Sequence, residues 1–181
     1  FLILRLILGT GMFGTFVAQD LILFFVFFEV VLLPMFFMIA VWGGDDRRYA
    51  SLKFFLYTLF GSALMLLGFL ALFFLSKDPV TGEFLRTFDM RELPDTAGAG
   101  IARSSQLLIF GGMFIGFGVT VPMFPFHTWL PDAHTQAPTQ GSVILAAVLP
   151  KLDPYGFIRL PVPILPEAPE AWAPATGLLP A

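Results

Sequence analysis

The stretch LILFFVFFEVVLLPMFFMIAVW, residues 21–42, decides the fold. Its only ionisable side chain is Glu29 and its only proline is Pro34. A run of roughly 20 apolar residues is what an α-helix needs to cross a hydrocarbon core of about 30 Å. No polar–apolar alternation competes with that reading, and only helices or closed barrels satisfy every backbone group in lipid. Working outward, residues 50–75 form a second full-length apolar segment. Residues 106–126 form a third, broken by Pro122 and Pro125, and 141–160 form a fourth that is also proline-interrupted. Upstream, residues 1–17 are apolar apart from Arg5 and two threonines and read as a partial span, closed by the polar break Ala18-Gln19-Asp20. They have neither the basic leader nor the small-residue cleavage site of a signal peptide, and they open as the later part of a span. The expected architecture is all-α, a polytopic membrane helix bundle, with residues 1–181 as a fragment of one transmembrane domain.

Composition supports the same class. Apolar residues make up 57% of the 181 positions, 23 of them phenylalanine, while only 13% are charged. Mean hydropathy is +0.83. A water-soluble domain of this size needs more polar surface than that. The net charge of −3 is small, and no basic cluster of the kind that tracks a phosphate backbone is present, so a nucleic-acid partner is not expected. There is no cysteine, which excludes disulfides, cysteine-ligated zinc and iron–sulfur clusters from this chain.

The loops orient the spans. The short loop Gly43-Gly44-Asp45-Asp46-Arg47-Arg48-Tyr49, with Lys53 just beyond it, is dense in basic residues. The longer loop 76–105 spreads Lys77, Arg86, Arg91 and Arg103 among acids. The positive-inside rule puts the short loop on the cytoplasmic or equivalent side. The long loop, with its turn-forming clusters Leu93-Pro94-Asp95 and Ala97-Gly98-Ala99-Gly100, reads as an exposed connection.

Gly9-Thr10-Gly11-Met12-Phe13-Gly14 matches the G-x-G-x-x-G of dinucleotide sites, with Glu29 about where a ribose-binding acid would fall. The strand–turn–helix context that motif needs is missing. Small residues in membrane helices more commonly let neighbouring helices approach closely, as Gly112 and Gly116 also could.

The ionisable residues inside apolar spans carry the functional signal. Glu29 lies well inside its span, where an acid costs about 2.5–3.5 kcal/mol on insertion scales and is retained for a partner or a task. Burial favours its neutral form and a nearby cation its charged form, which suits a proton relay. The alternative is an ion pair that only locks two helices. Pro34 has no N–H, so the Val30 carbonyl beside Glu29 loses its helical donor and a polar spot results. Lys151 lies mid-way along the fourth segment and is a second candidate for the proton path, against snorkelling. Lys53 sits near a span end, where snorkelling and topology explain it well, and is a weaker candidate. His127 and His134 flank Thr128-Trp129-Leu130-Pro131-Asp132-Ala133 and could pass protons or anchor an irregular loop. Metal ligation by the histidines with Asp132 is disfavoured, because no further strong ligand has the needed spacing.

The stretch from Val121 to Thr139, VPMFPFHTWLPDAHTQAPT, resembles a signature of the antiporter-like membrane subunits of respiratory complex I, NADH–quinone oxidoreductase. Its Asp132-Ala133-His134-Thr135-Gln136-Ala137-Pro138 has the form of the M-type branch (subunit 4 or chain 13) rather than of the L-type, which reads Asp-Ala-Met-x-Gly-Pro. The segments Phe27–Met35 and Lys53–Thr58 are similar to the same family. The resemblance implies helices four to eight of a fourteen-helix antiporter-like fold with a discontinuous helix, and the loop orientation agrees with that placement. It implies proton translocation across an energy-conserving bacterial inner (plasma) membrane, driven by quinone reduction elsewhere in the complex. No cofactor would lie in this chain; NADH, FMN, iron–sulfur clusters and quinone would belong to partner subunits of the membrane and peripheral arms. Glu29 matches the family's glutamate on helix five and Lys151 its central lysine on helix eight.

The sequence also departs from the family. Where the family carries the lysine that pairs with the glutamate, directly before Val-Pro-Met, this chain has Thr120. Around Lys151 the family's Leu-Lys-x-Gly-x-Tyr-Gly is altered by Pro150, which frees the Ala146 carbonyl, and by Asp153, another buried acid. Pro154, which does the same to Pro150, and Pro161, Pro163 and Pro166 continue the disruption. Two other readings stay open: a subunit of a multi-subunit sodium–proton antiporter or membrane-bound hydrogenase, and a structural membrane subunit that pumps nothing.

Overall fold

The structure, a computed structural model, describes residues 1–78, 80–94, 100–165 and 168, with Leu149 and Pro150 described by their backbone alone. The described residues are helical almost throughout, with two isolated β-bridges, Asp20 to Asp89 and Lys77 to Phe84. The three long N-terminal helices are α1 (Leu2–Val17), α2 (Leu21–Trp42) and α3 (Arg47–Leu75). Helix α4 (Arg103–Thr120) follows the long loop. A 3-10 turn (Phe126–Thr128), α5 (Trp129–Gln136), α6 (Thr139–Ala147), α7 (Leu149–Arg159) and the single turn α8 (Pro161–Ile164) complete the described elements.

Asp20 is why α2 starts where it does. Its Oδ1 accepts from the backbone N–H groups of Ile22 and Leu23, at 2.9 and 3.0 Å, satisfying two donors that a helix start otherwise leaves unpaired. At the far end the Gly43 N–H closes on the Ile39 carbonyl. At a rise of 1.5 Å per residue the 22 residues of α2 span about 33 Å, enough to cross a bilayer core. Among the described helices, α2 and α3 are long and apolar enough to do so.

Glycines set the closest packing. A Cβ on Gly11 would lie 2.9 Å from a methyl of Val31 and 3.1 Å from the Phe27 carbonyl, and one on Gly14 would enter the Phe27 ring. The G-x-G-x-x-G run is therefore the seam between α1 and α2, as expected of small residues in membrane helices. Between α3 and α4 the fit is reciprocal. A Cβ on Gly61 would sit 2.8 Å from the Gly116 carbonyl, and one on Gly116 2.8 Å from the Gly61 carbonyl. Gly112, by contrast, faces open space. The core is aromatic, with Phe24 edge-on to Phe69 and Phe117 and with Phe54 against Trp129. The outer faces expose Leu2, Phe13, Leu67 and Leu108, which only lipid or further helices would cover.

The long loop differs from its reading as an exposed connection. Ser76, Met90, Leu93 and Ile101 are buried, and Phe88 stacks on Phe73 at 4.3 Å. The Leu21 N–H donates to the Phe88 carbonyl and the Met90 N–H to the Gln19 carbonyl. Loop composition is polar on average, but its few apolar residues cover the ends of α2 and α3. Of the turn-forming clusters, Asp95 and Ala97 to Ala99 lie outside the described residues, as does Pro166.

The two C-terminal breaks have local causes. Helix α4 stops at Thr120, before Pro122, and the chain turns through Pro125 into the 3-10 turn. The segment expected as one interrupted span over 141–160 is two helices meeting at Val148. Pro150 falls in the first turn of α7, where a missing N–H costs nothing, so it starts a helix rather than breaking one. Tyr155 and Arg159 of α7 both donate to the Phe16 carbonyl at the C-terminal end of α1, at 2.8 and 3.2 Å. That contact fixes the direction of α7: it runs towards the long-loop side.

Candidate functional site

Helix α2 carries Glu29 on a half-buried face, one residue beyond the buried Phe28. Its Oε1 is buried without a hydrogen-bond partner, and Ser62 of α3 is a polar neighbour of the carboxyl. The sequence reading did not find Ser62. A serine in an apolar span is an ordinary helix-packing residue, and its hydroxyl also bonds back to the Leu59 carbonyl.

Thr120, at the position of the expected family lysine, is 3% exposed and ends α4. Among the described residues its hydroxyl reaches only the Gly116 carbonyl, at 3.4 Å. Lys151 corrects an expectation. Read as a mid-span buried lysine, it is exposed, because the helix restarts at Leu149 and turns Leu152, Asp153 and Gly156 inward instead.

The discontinuous segment after α4 is held by its signature residues. Trp129, 1% exposed, donates its indole N–H to the Val119 carbonyl at 2.8 Å, satisfying an acceptor that the break in α4 leaves free. The Lys53 Nζ lies 2.7 Å from the Asp132 Oδ2, tying α3 to α5. Nearby, the Thr128 hydroxyl donates to the Tyr57 phenol oxygen at 3.1 Å. The His134 Nδ1 and the Ser142 hydroxyl are 2.8 Å apart, joining α5 to α6. The Gln136 backbone carbonyl accepts from the Gly44 N–H and its side-chain oxygen from the Asp46 N–H. His127 is exposed, its ring 5.8 Å from that of Phe124. The broken helix is thus tied to α3 by Lys53 and Asp132, to α6 by His134, and to the short basic loop by Gln136. Among the described residues no cluster of three His, Asp or Glu side chains could hold a metal ion.

An apolar bundle with a broken, side-chain-clamped helix and an acid inside one of its spans defines a polytopic helical membrane protein. Residues 18–178 match the family described as "NADH:quinone oxidoreductase/Mrp antiporter, TM", and the chain belongs to that family. It is 48% identical over 174 residues to NADH-quinone oxidoreductase subunit M of Rhodobacter capsulatus, covering 94% of this chain and 33% of that protein. Its fold matches a chain of respiratory complex I from Thermus thermophilus with a TM-score of 0.80 at 32% identity, covering 97% of this chain and 35% of that one. It also matches a chain of the archaeal membrane-bound sulfane sulfur reductase with a TM-score of 0.81, at 24% identity, over 97% of this chain and 34% of that one. The chain spans about a third of the length of the relatives it matches.

Proposed function

We propose that the parent of this chain translocates protons across an energy-conserving bacterial membrane as a multi-pass subunit of an NADH–quinone oxidoreductase. The observation that carries this reading is Glu29, an acid inside an apolar helix with one buried, unpartnered oxygen and a serine hydroxyl beside it. Such a group is costly in a membrane protein and marks an ion or proton path by default. NADH, FMN, iron–sulfur clusters and quinone would all sit in partner subunits, and this chain would supply a proton-binding carboxyl and its surroundings. Glu29 takes and releases the proton in the entry half of the path. Lys151, exposed on α7, faces whatever helix covers that side in the whole protein, and would carry the charge onward there. The Lys53–Asp132 clamp positions the broken helix.

The test is Glu29→Ala in the complete complex, reconstituted in vesicles, with proton pumping measured beside electron transfer. Pumping should fall on the order of tenfold or more. An unchanged rate and proton-to-electron ratio would remove Glu29 from the path. A second reading, a scaffold that pumps nothing, is favoured by one observation: Thr120 has no charge with which to answer Glu29. Thr120→Lys distinguishes the two, since a gain in pumping speaks for the relay and no gain for the scaffold.

A further inference from the structure

We propose that Asp153 is a second proton-binding acid of this bundle, facing Thr120 at the depth of Glu29. The proposal rests on the proton-path reading above and gives a role to an acid that the family pattern does not carry at that position.

Two observations support it. First, Asp153 is fully buried and both carboxyl oxygens lack a hydrogen-bond partner. An isolated carboxylate in such a place would cost far more than a neutral acid, so the group is held for something it binds. Second, the helix register puts it in the right place. On α7, Gly156 lies so close to Phe117 of α4 and Phe24 of α2 that a Cβ there would be 2.8 Å from both rings. Asp153 is one turn earlier on the same face of α7, and Thr120 one turn later on the same face of α4. Because α7 runs towards the long-loop side and α4 away from it, both steps go the same way. Each moves about 4.5 Å towards the short loop. Glu29, five residues beyond Phe24 on α2, is displaced about 7.5 Å in that direction. Asp153, Thr120 and Glu29 therefore all lie on the short-loop side of the Gly156 contact, within about one helical turn of one another, with the Phe24 and Phe28 rings alongside.

This region holds two carboxyls and two hydroxyls, those of Ser62 and Thr120, and no cation from the described residues: Lys151 points outward and Lys53 is paired with Asp132. Transfer through it breaks the O–H bond of one carboxyl as an O–H bond forms on the next acceptor, hydroxyl or water, and no electron moves. Thr120 cannot hold the proton. It is a positioning residue, its weak 3.4 Å contact leaving the hydroxyl able to turn towards Asp153.

The experiment uses the complete complex in vesicles with Asp153→Ala, Asp153→Asn and Asp153→Glu, and Glu29→Gln in parallel. Because Asp153 has no partner to lose, Asp153→Ala should assemble at least as well as the parent. Pumping should fall about tenfold or more in Asp153→Ala and Asp153→Asn and return in large part in Asp153→Glu. A carboxylic-acid carbonyl band that changes between the resting and the turning-over complex in infrared difference spectra should be absent from Asp153→Ala. An acid that stays protonated throughout and is merely structural gives no such difference band. Parental pumping in both Asp153→Ala and Asp153→Asn, or an unchanged band, overturns the inference. If Glu29→Gln abolishes pumping while the Asp153 variants do not, only this inference fails. If none of them affects pumping, the proton-path reading fails too. Pumping that depends on sodium and not on protons would also overturn it.

Discussion

At the scale of single residues, the pair Lys53 and Asp132 shows how a charge can serve geometry. By position Lys53 is a snorkelling lysine near a span end, and nothing local says otherwise. The fold brings it 2.7 Å from Asp132, 79 positions on. The pair is only partly buried, with the two side chains 19% and 39% exposed, so solvent screens it and its direct contribution is modest. A double-mutant cycle with Lys53→Met and Asp132→Asn, read by unfolding in detergent, should give a coupling energy of about 1 kcal/mol. Additive effects would mean the contact contributes nothing to holding α5. Glu29 was legible as a candidate because its cost is local: one acid among aliphatic and aromatic neighbours. Asp132 and Ser62 were not legible as partners, since a polar residue at a broken helix or in a helix seam has no periodic signature.

Among the elements, the α3–α4 seam depends on the absence of two side chains. Gly61 and Gly116 each present backbone to backbone, and a Cβ on either meets a carbonyl oxygen that cannot rotate away. Gly116→Val should lower stability by about 2–3 kcal/mol, since the helices must separate to admit it. Gly112→Val, one turn away on the same face at a gap where nothing lies within 4 Å of a Cβ, should change it by less than about 0.5 kcal/mol. Thermal midpoints in detergent compare the two, and equal shifts would contradict the packing. Both glycines look alike in the sequence. Their difference lies in position along one face of α4: at Gly116 the backbone of α3 is in contact, whereas at Gly112 a gap lined by Leu64, Leu67 and Gly68 of α3 leaves room.

On the scale of the whole molecule, the long loop acts as a clasp across one end of the bundle, holding the start of α2 beside the end of α3. Its turn is organised by Asp89, which accepts from the Arg91 backbone and guanidinium. The Arg91 side chain holds the Asp89 carboxyl below the usual aspartate range. A carboxyl depressed in the folded state stabilises fully above its unfolded value, about 3.9, and loses that contribution as pH falls through the folded value. Hydrogen exchange at the Met90 and Leu21 amides, corrected for intrinsic rates, should therefore be flat from about pH 7 to 5 and rise below about pH 4. Protection below about pH 4 equal to that at pH 7 would show that Asp89 is irrelevant to the clasp. The pair is exposed, so the rise should be small.

Hydrophobic run length and the polar breaks between runs were enough to define this protein as an all-helical membrane bundle, and to single out Glu29. Those properties are local: whether a segment is stable in lipid depends on its own residues. The tertiary structure decided the rest. It turned Lys151 outward and Asp153 inward, made seam glycines of Gly61 and Gly116 but not Gly112, and drew a polar-looking loop over the helix ends. It also brought Asp153 and Thr120 near the depth of Glu29. Each of these depends on how segments far apart in the chain pack against one another, a sum of many side-chain contacts that no local stretch contains.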